Sequence, residues 1–304
     1  MRSSKKLGEC VRIADVSGTP FDDIALLTGL IAAVGSAEYW AEPGSEDRGF
    51  AGGAAREALR PVAEAVVLAA GSPDMRWWTA PVDRGGQRYT QFLGRHGLTE
   101  PPLSGAAELA GAWLADARVD KRSAPGRPEE DSLLYGGQWW SGPALSRVPV
   151  TTRALPALGA ARLALAEGGF GWRSARCWPV VPQDGARVYE VRDPGSWAEL
   201  VSRYPLDVSE SRRHDWRRVT GWAGRWLIPD YAAVAADWDA VHVCVAGYLT
   251  TAGIAIPVGD SASTMLAGWD PDATWWLTDV LSLAGVPQDW RADQQAPLGW
   301  TQAG

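Results

Sequence analysis

Trp238-Asp239-Ala240-Val241-His242-Val243-Cys244-Val245 is the stretch from which the fold is read. Five apolar or weakly polar residues surround a single histidine, bounded by Asp239 on one side and a Gly-containing segment on the other. A short apolar run of this kind, rich in β-branched residues, predicts a strand buried on both faces. Upstream, Asp193-Pro194 offers a helix N-cap with proline at the first helical position, where a missing N–H costs nothing. Trp197, Leu200, Val201 and Tyr204 follow at i, i+3, i+4 and i+7, the stripe of an amphipathic helix. Pro229-Asp230 opens a second, shorter helix over 231–236.

Short β-like runs precede these at 138–140, 148–152, 161–166, 174–181 and 187–191, punctuated by Gly, Pro and Asp. Downstream, 264–269 and 274–277 read as a hairpin around Asp270-Pro271-Asp272, residues that suit a type I turn. The half before this region has a different texture. Helices are predicted over 24–39, over 59–67 and over 104–117, the last with Ser104 as N-cap and Leu109, Trp113 and Leu114 on one face. Runs 75–80 and 87–92 read as strands joined across Asp83-Arg84-Gly85-Gly86. The expected fold is therefore α+β, with a helix-rich N-terminal part and a strand-rich, Trp-rich C-terminal part built on a mixed or mainly antiparallel sheet.

Between the halves, residues 120–131 hold seven charges and two prolines without apolar periodicity, which predicts an exposed loop. The organisation read from this is a region over 1–119, a linker over 120–134, a domain over 135–289 and a flexible tail over 290–304.

With 304 residues the chain can bury a sizeable core. A net charge of -7 disfavours a general nucleic-acid binder, which normally carries a basic surplus. Cys10, Cys177 and Cys244 are far apart and form no C-x-x-C pair, so reduced thiols and a cytoplasmic location are expected. No apolar run approaches the ~20 residues of a membrane span. Glu9 and Asp15 interrupt what would be the apolar part of a leader after the basic start. Abundant Ala, Arg, Gly and Trp give the composition of a high-GC, actinobacterial-type coding sequence.

Tryptophan is unusually frequent, with 18 residues against four Phe. Neighbours in a strand point to opposite faces, so the pairs Trp77-Trp78, Trp139-Trp140 and Trp275-Trp276 cannot each stack on one ligand. Large core residues are the reading favoured for most of them. Arg212-Arg213-His214-Asp215-Trp216-Arg217-Arg218 is the densest basic cluster. One helical turn separates Arg213 and Arg217, so both could clamp a phosphate through their guanidinium forks, although a solvated helix face is the usual fate of such a run. His242, with Asp239 just ahead of its strand, is a candidate general base, and a hydrogen-bonded core histidine is the competing reading.

Gly247 to Gly253 puts Tyr248, Thr250 and Thr251 at the end of the 240–245 strand, where α/β proteins tend to place their sites. Arg187 and Glu190 lie on an earlier strand. The order Arg187, Thr250-Thr251 and an acid is similar to the arginine, Ser/Thr and glutamate of ADP-ribosyltransferases. The resemblance covers under half of the chain. It implies an NAD site between two sheets, but the Glu/Gln-x-Glu of that family is replaced here by Asp270-Pro271-Asp272. The catalytic candidates are thus His242, Tyr248, Thr250 and Glu190, and the ligand-binding candidates Arg187, Arg213, Arg217 and Thr251. No metal-ligand spacing, phosphate loop, dinucleotide fingerprint or nucleophile elbow occurs.

The function expected is an enzyme acting on a phosphate-bearing nucleotide or related small molecule, an NAD-using transferase among the options; the cofactor itself is not specified by the sequence. The competing reading is a non-catalytic protein-binding or immunity-type protein that engages a partner through an exposed Trp-rich surface. Neither reading calls for a membrane or for general nucleic-acid binding.

Overall fold

The strand expected over 240–245 forms over its first four residues, with both faces covered, and Cys244 and Val245 open the next helix. In a computed structural model of the chain, which describes residues 23–35, 76–93, 101–123, 138–143, 148–167 and 171–303, the strand is Ala240–Val243, with all four residues buried. In chain order the elements are α1 (Asp23–Gly35), a 3-10 turn at Arg76–Trp78, β1 (Gln87–Phe92), α2 (Ala106–Ser123), β2 (Val150–Arg153), α3 (Ala161–Leu165), β3 (Ser174–Pro182) and β4 (Val188–Val191). They continue with α4 (Pro194–Arg203), β5 (Pro205–Asp207), α5 (Ser209–Thr220), β6 (Arg225–Pro229), α6 (Tyr231–Asp237), β7 (Ala240–Val243) and α7 (Val245–Thr251). The last strands are β8 (Ile256–Val258), β9 (Ala262–Thr264), β10 (Ala273–Trp276), β11 (Leu281–Leu283), β12 (Gln288–Ala292) and β13 (Trp300–Gln302).

The fold is α+β. A nine-stranded sheet runs β13-β12-β3-β1-β2-β10-β7-β4, with β11 also on β3. Every pairing in it is antiparallel except β4 with β7. A four-stranded sheet, β5-β6-β9-β8, stands apart. Helix α4 lies between the two, touching β4 in the large sheet and β5, β6 and β8 in the small one.

Local chemistry explains α4. Asp193 accepts from the Ser196 N–H while the Ser196 hydroxyl returns to the Asp193 backbone, a capping box with Pro194 in the first turn. Trp197, Leu200 and Val201 are fully buried on its inner face. Asp230 caps α6 in the same manner, accepting from Ala232 N and Ala233 N. At α2 the expected Ser104 cap is replaced by a distant acid, because Gly105 N and Ala106 N donate to the Asp279 carboxylate at 2.8 Å each.

Several expectations change. The 76–80 segment is not a strand. It forms one 3-10 turn and then crosses the sheet face, because Pro81 has no N–H to give a ladder and the Val82 N–H goes to the Glu190 side chain. The 161–166 run is a helical turn, as Ala and Leu without β-branched neighbours favour. The 138–140 run has no regular structure. The 264–277 hairpin does not exist, since β9 pairs with β6 and β8 while β10 pairs with β2 and β7 in the other sheet. Residues 300–302, expected in a flexible tail, pair as β13 with β12. Strand β1, from the N-terminal region, sits between β2 and β3, so the large sheet draws on both sides of the expected linker. Residues 120–123 complete α2; the rest of that linker, the helix expected over 59–67 and His96 lie outside the described residues.

The segment 247–253, expected to end a strand, instead continues as α7. Gly247 allows this, because a Cβ there would overlap the Val191 carbonyl oxygen at the end of β4. No helix among the described residues is long and apolar enough to cross a membrane.

Gly247→Ala is expected to destabilise the chain by about 1–3 kcal/mol, as overpacking against backbone does. Thr250→Ala, three residues along on the exposed side of the same helix, should stay within about 0.5 kcal/mol. Urea unfolding of both variants measures this, and equal stability of the two would contradict the packing described.

Candidate functional site

Four strands of the large sheet bring one row of polar side chains together. Glu190 on β4 is opposite His242 on β7, His242 is opposite Thr274 on β10, and Thr274 is opposite Thr151 on β2. Directly paired residues share a face. Arg153, two residues beyond Thr151, lies on that same face, and Asp272 stands one residue ahead of β10.

These residues form a charged chain. His242 Nδ1 lies 2.6 Å from Glu190 Oε2, and its Nε2 lies 3.4 Å from Asp272 Oδ1. Asp272 also accepts from the Arg153 backbone N–H at 2.8 Å and from Arg153 Nε at 2.6 Å. Arg153 reaches the crossing segment as well, donating through Nη2 to the Pro81 carbonyl at 3.2 Å and lying over the Trp77 ring at 5.4 Å. The segment is tied a second time where Val82 N donates to Glu190 Oε1 at 3.0 Å. The chain thus runs Arg153, Asp272, His242, Glu190, with residues 77–82 laid across it.

Burial grades along it. His242 and Asp272 are each 1% exposed, Arg153 is 7% exposed, and the Glu190 side chain retains 16%. Removing one partner from such a buried pair typically costs ~3–5 kcal/mol, because the other charge is stranded. Asp272 has φ of 61°, unusual for a residue with a Cβ. Strain of this kind costs ~1–3 kcal/mol and persists when surrounding contacts over-determine it, as Arg153 and His242 do here.

A histidine with a carboxylate at each nitrogen is satisfied only as the imidazolium, which donates from both. Burial opposes that charge, yet the hydrogen bonds to Asp272 and Glu190 outweigh it and hold the His242 pKa above its ordinary value. The ring has no unoccupied nitrogen with which to act as a base. In this chain of contacts Glu190 is the group with access to solvent.

A second network shares the Asp270–Asp272 segment. Asp270 accepts from Arg162 Nε at 2.7 Å and from Glu167 N at 2.8 Å. Arg162 is held in turn by the Thr152 hydroxyl, which accepts its backbone N–H at 3.0 Å. Glu167 is buried, and burial together with the Asp270 charge pushes its carboxyl well above the usual range, against the opposing pull of the Tyr248 hydroxyl.

Of the candidates named from sequence, Glu190 and His242 come together. Tyr248 does not join them: its hydroxyl lies 3.4 Å from Glu167 Oε2 in the second network. Thr250 is exposed and returns its hydroxyl to the Ala246 carbonyl, while the Thr251 hydroxyl is buried with no hydrogen-bond partner among the described residues. Arg187 is half exposed and held by Asp239 through both its backbone and its guanidinium. Arg213 pairs with Glu210 at 3.5 Å, and Arg217 is exposed in the last turn of α5. That helix is no solvated basic face: it buries Arg212, His214, Asp215 and Trp216. Arg212 donates to the Ser211 hydroxyl and the Trp140 carbonyl, and Asp215 pairs with Arg218.

Sequence reasoning missed Arg153, Asp272, Arg162, Asp270 and Glu167. The available signal was the pair of acids flanking Pro271, which reads equally well as turn chemistry. Ten tryptophans are buried, and Trp222 is the exposed one among the described residues. No group of His, Cys, Asp and Glu among the described residues is arranged to hold a metal ion. No family model, curated protein or solved structure matches the chain.

The two raised pKa values fix a pH dependence. His242 titrates above its unfolded value of ~6.5 and Glu167 above ~4.3. Each contribution is complete below the unfolded value and is lost as pH rises through the folded one. Asp193, Asp237, Asp239 and Asp289 are lowered, so their contributions vanish as pH falls through their folded values, below ~3.9. Melting temperature should therefore peak in mildly acidic solution and fall from pH 6 to pH 9. His242→Gln should flatten the part above pH 6.5. A melting temperature that rises from pH 6 to pH 9 would contradict the charge assignments.

Proposed function

We propose that the chain is an enzyme acting on a phosphate-bearing nucleotide or related small molecule, with Glu190 as the acid–base group. The carrying observation is the Asp272–His242–Glu190 chain, a buried acid orienting a histidine that in turn orients a carboxylate with access to solvent. A reacting carboxylate whose position is locked by supporting hydrogen bonds is presented to a substrate in one geometry. His242 takes Glu190 Oε2 and the Val82 N–H takes Oε1, which fixes the carboxylate plane. Each oxygen keeps a second lone pair for a substrate proton.

The substrate class rests on cationic surroundings and on the resemblance to NAD-using transferases. Arg84 is anchored on the Ala186 carbonyl at 2.6 Å, just before β4, and Arg192 follows Glu190 by two residues at its end; both are exposed. Guanidinium groups at either end of the strand that carries the acid suit a ligand with phosphate oxygens. The competing reading, a partner-binding surface of tryptophans, has one exposed ring among the described residues to draw on.

A thermal-shift screen with NAD, nucleoside phosphates and inorganic phosphate tests the reading. A bound nucleotide at ~100 times its Kd should add about 2.7 kcal/mol of stability. Glu190→Gln should keep that shift and lower turnover of the same ligand by ~10²–10⁴-fold, the usual size of an acid–base contribution. If no nucleotide stabilises the parent protein, the substrate class is wrong. If Glu190→Gln turns over a bound nucleotide at the parent rate, the role of Glu190 is wrong.

A further inference from the structure

Asp270-Pro271-Asp272 is held by Arg162 at one end and by Arg153 at the other, and each end also meets a group whose charge depends on a proton. On one side, Asp272 faces His242, which is complete only as the imidazolium because Glu190 occupies its other nitrogen. The neighbouring charges are Glu190 from β4, Asp272 from the turn and Arg153 from β2, with the Cys244 thiol at the end of β7. On the other side, Asp270 accepts the Glu167 backbone N–H and Arg162 Nε, while the Glu167 carboxyl is buried with its Oε2 3.4 Å from the Tyr248 hydroxyl, and the Asp270 charge helps to keep it protonated. The groups facing Glu167 are Asp270, the Tyr248 hydroxyl of α7, and Arg162 of α3 through Asp270.

We propose that this three-residue turn is a proton-held clasp, closed while His242 and Glu167 carry protons and released as they lose them. Loss of the His242 proton leaves Asp272 with Arg153 as its cation and Glu190 with the Val82 N–H alone. The neutral ring can donate to only one of them, so the other contact sets acceptor against acceptor. Loss of the Glu167 proton adds a second negative charge near Asp270, whose own cation is Arg162. Each loss weakens an anchor of a turn whose backbone is already strained at Asp272. Release also loosens one of the two ties on the 77–82 crossing segment, since Arg153 links Asp272 to Pro81. The inference stands on these contacts and holds whether or not Glu190 is catalytic.

Two amides report the clasp directly, because Arg153 N donates to Asp272 and Glu167 N to Asp270. Their hydrogen-exchange protection, measured by NMR on the whole chain and corrected for the intrinsic pH dependence of exchange, should fall between pH 6 and pH 9. Linkage allows up to about tenfold per pH unit for each proton lost. Glu167→Gln, which mimics the protonated acid, should keep protection at position 167 at pH 9 while that of Arg153 still falls. Tyr248→Phe removes a hydroxyl that favours the charged carboxylate, and should move the fall at position 167 to higher pH. Protection that stays constant from pH 6 to pH 9 overturns the proposal. So does a loss at position 167 that is unchanged in both variants.

Discussion

Asp272 has a left-handed backbone, a buried carboxylate and three hydrogen bonds to that carboxylate, and each of these conditions depends on the others. Without Arg153 and His242 the carboxylate would be an uncompensated buried charge, and without the carboxylate the backbone would relax from φ of 61°. The same acid fixes the charge state of His242 and, through it, the orientation of Glu190. It also sets where β10 begins, between β2 and β7. A single anion therefore couples the register of three strands to the geometry of the candidate site.

The network sits against a core rich in indole rings. Trp197, Trp216, Trp226, Trp269 and Trp276 are fully buried. Buried rings of this size cover ~150–250 Å² each, worth roughly 4–6 kcal/mol per ring at ~25 cal/mol per Å². One of their polar tips reaches the polar row, where Trp276 Nε1 donates to the Thr151 hydroxyl, and Trp197 Nε1 donates to Thr264 of the small sheet. Tryptophan here is framework, and the candidate site is formed by the acids and arginines of the sheet face.

How much of this was legible in the sequence follows from the range of each interaction. Strand β7 and helices α4 and α6 were readable because their determinants are local: an apolar run, a capping acid, a proline in the first turn and a 3.6-residue stripe. Glu190 and His242 were both named as candidates, but nothing in their spacing could show that a parallel pairing of β4 with β7 sets them side by side. Asp272 was hidden because Asp-Pro-Asp satisfies the local rules for a turn, and its partner Arg153 lies 119 residues away in sequence. The sequence places the 247–253 segment at the end of β7 but not as a helix, and the close approach of Gly247 to β4 that seats it there has no local signal. The basic run 212–218 looked like surface on composition alone, yet Trp216 and its neighbours draw one side of that helix into the core.

The central claim is that Asp272 and Glu190 hold His242 as a buried cation, and an NMR titration of the histidine ring carbons and protons tests it most directly. The chain has three histidines, so the His242 resonance can be assigned by its loss in a substituted variant. The account predicts a midpoint clearly above ~6.5, the ordinary value for histidine, and a lower midpoint in Asp272→Asn. A His242 that titrates at or below ~6.5, or that is neutral throughout, would contradict it.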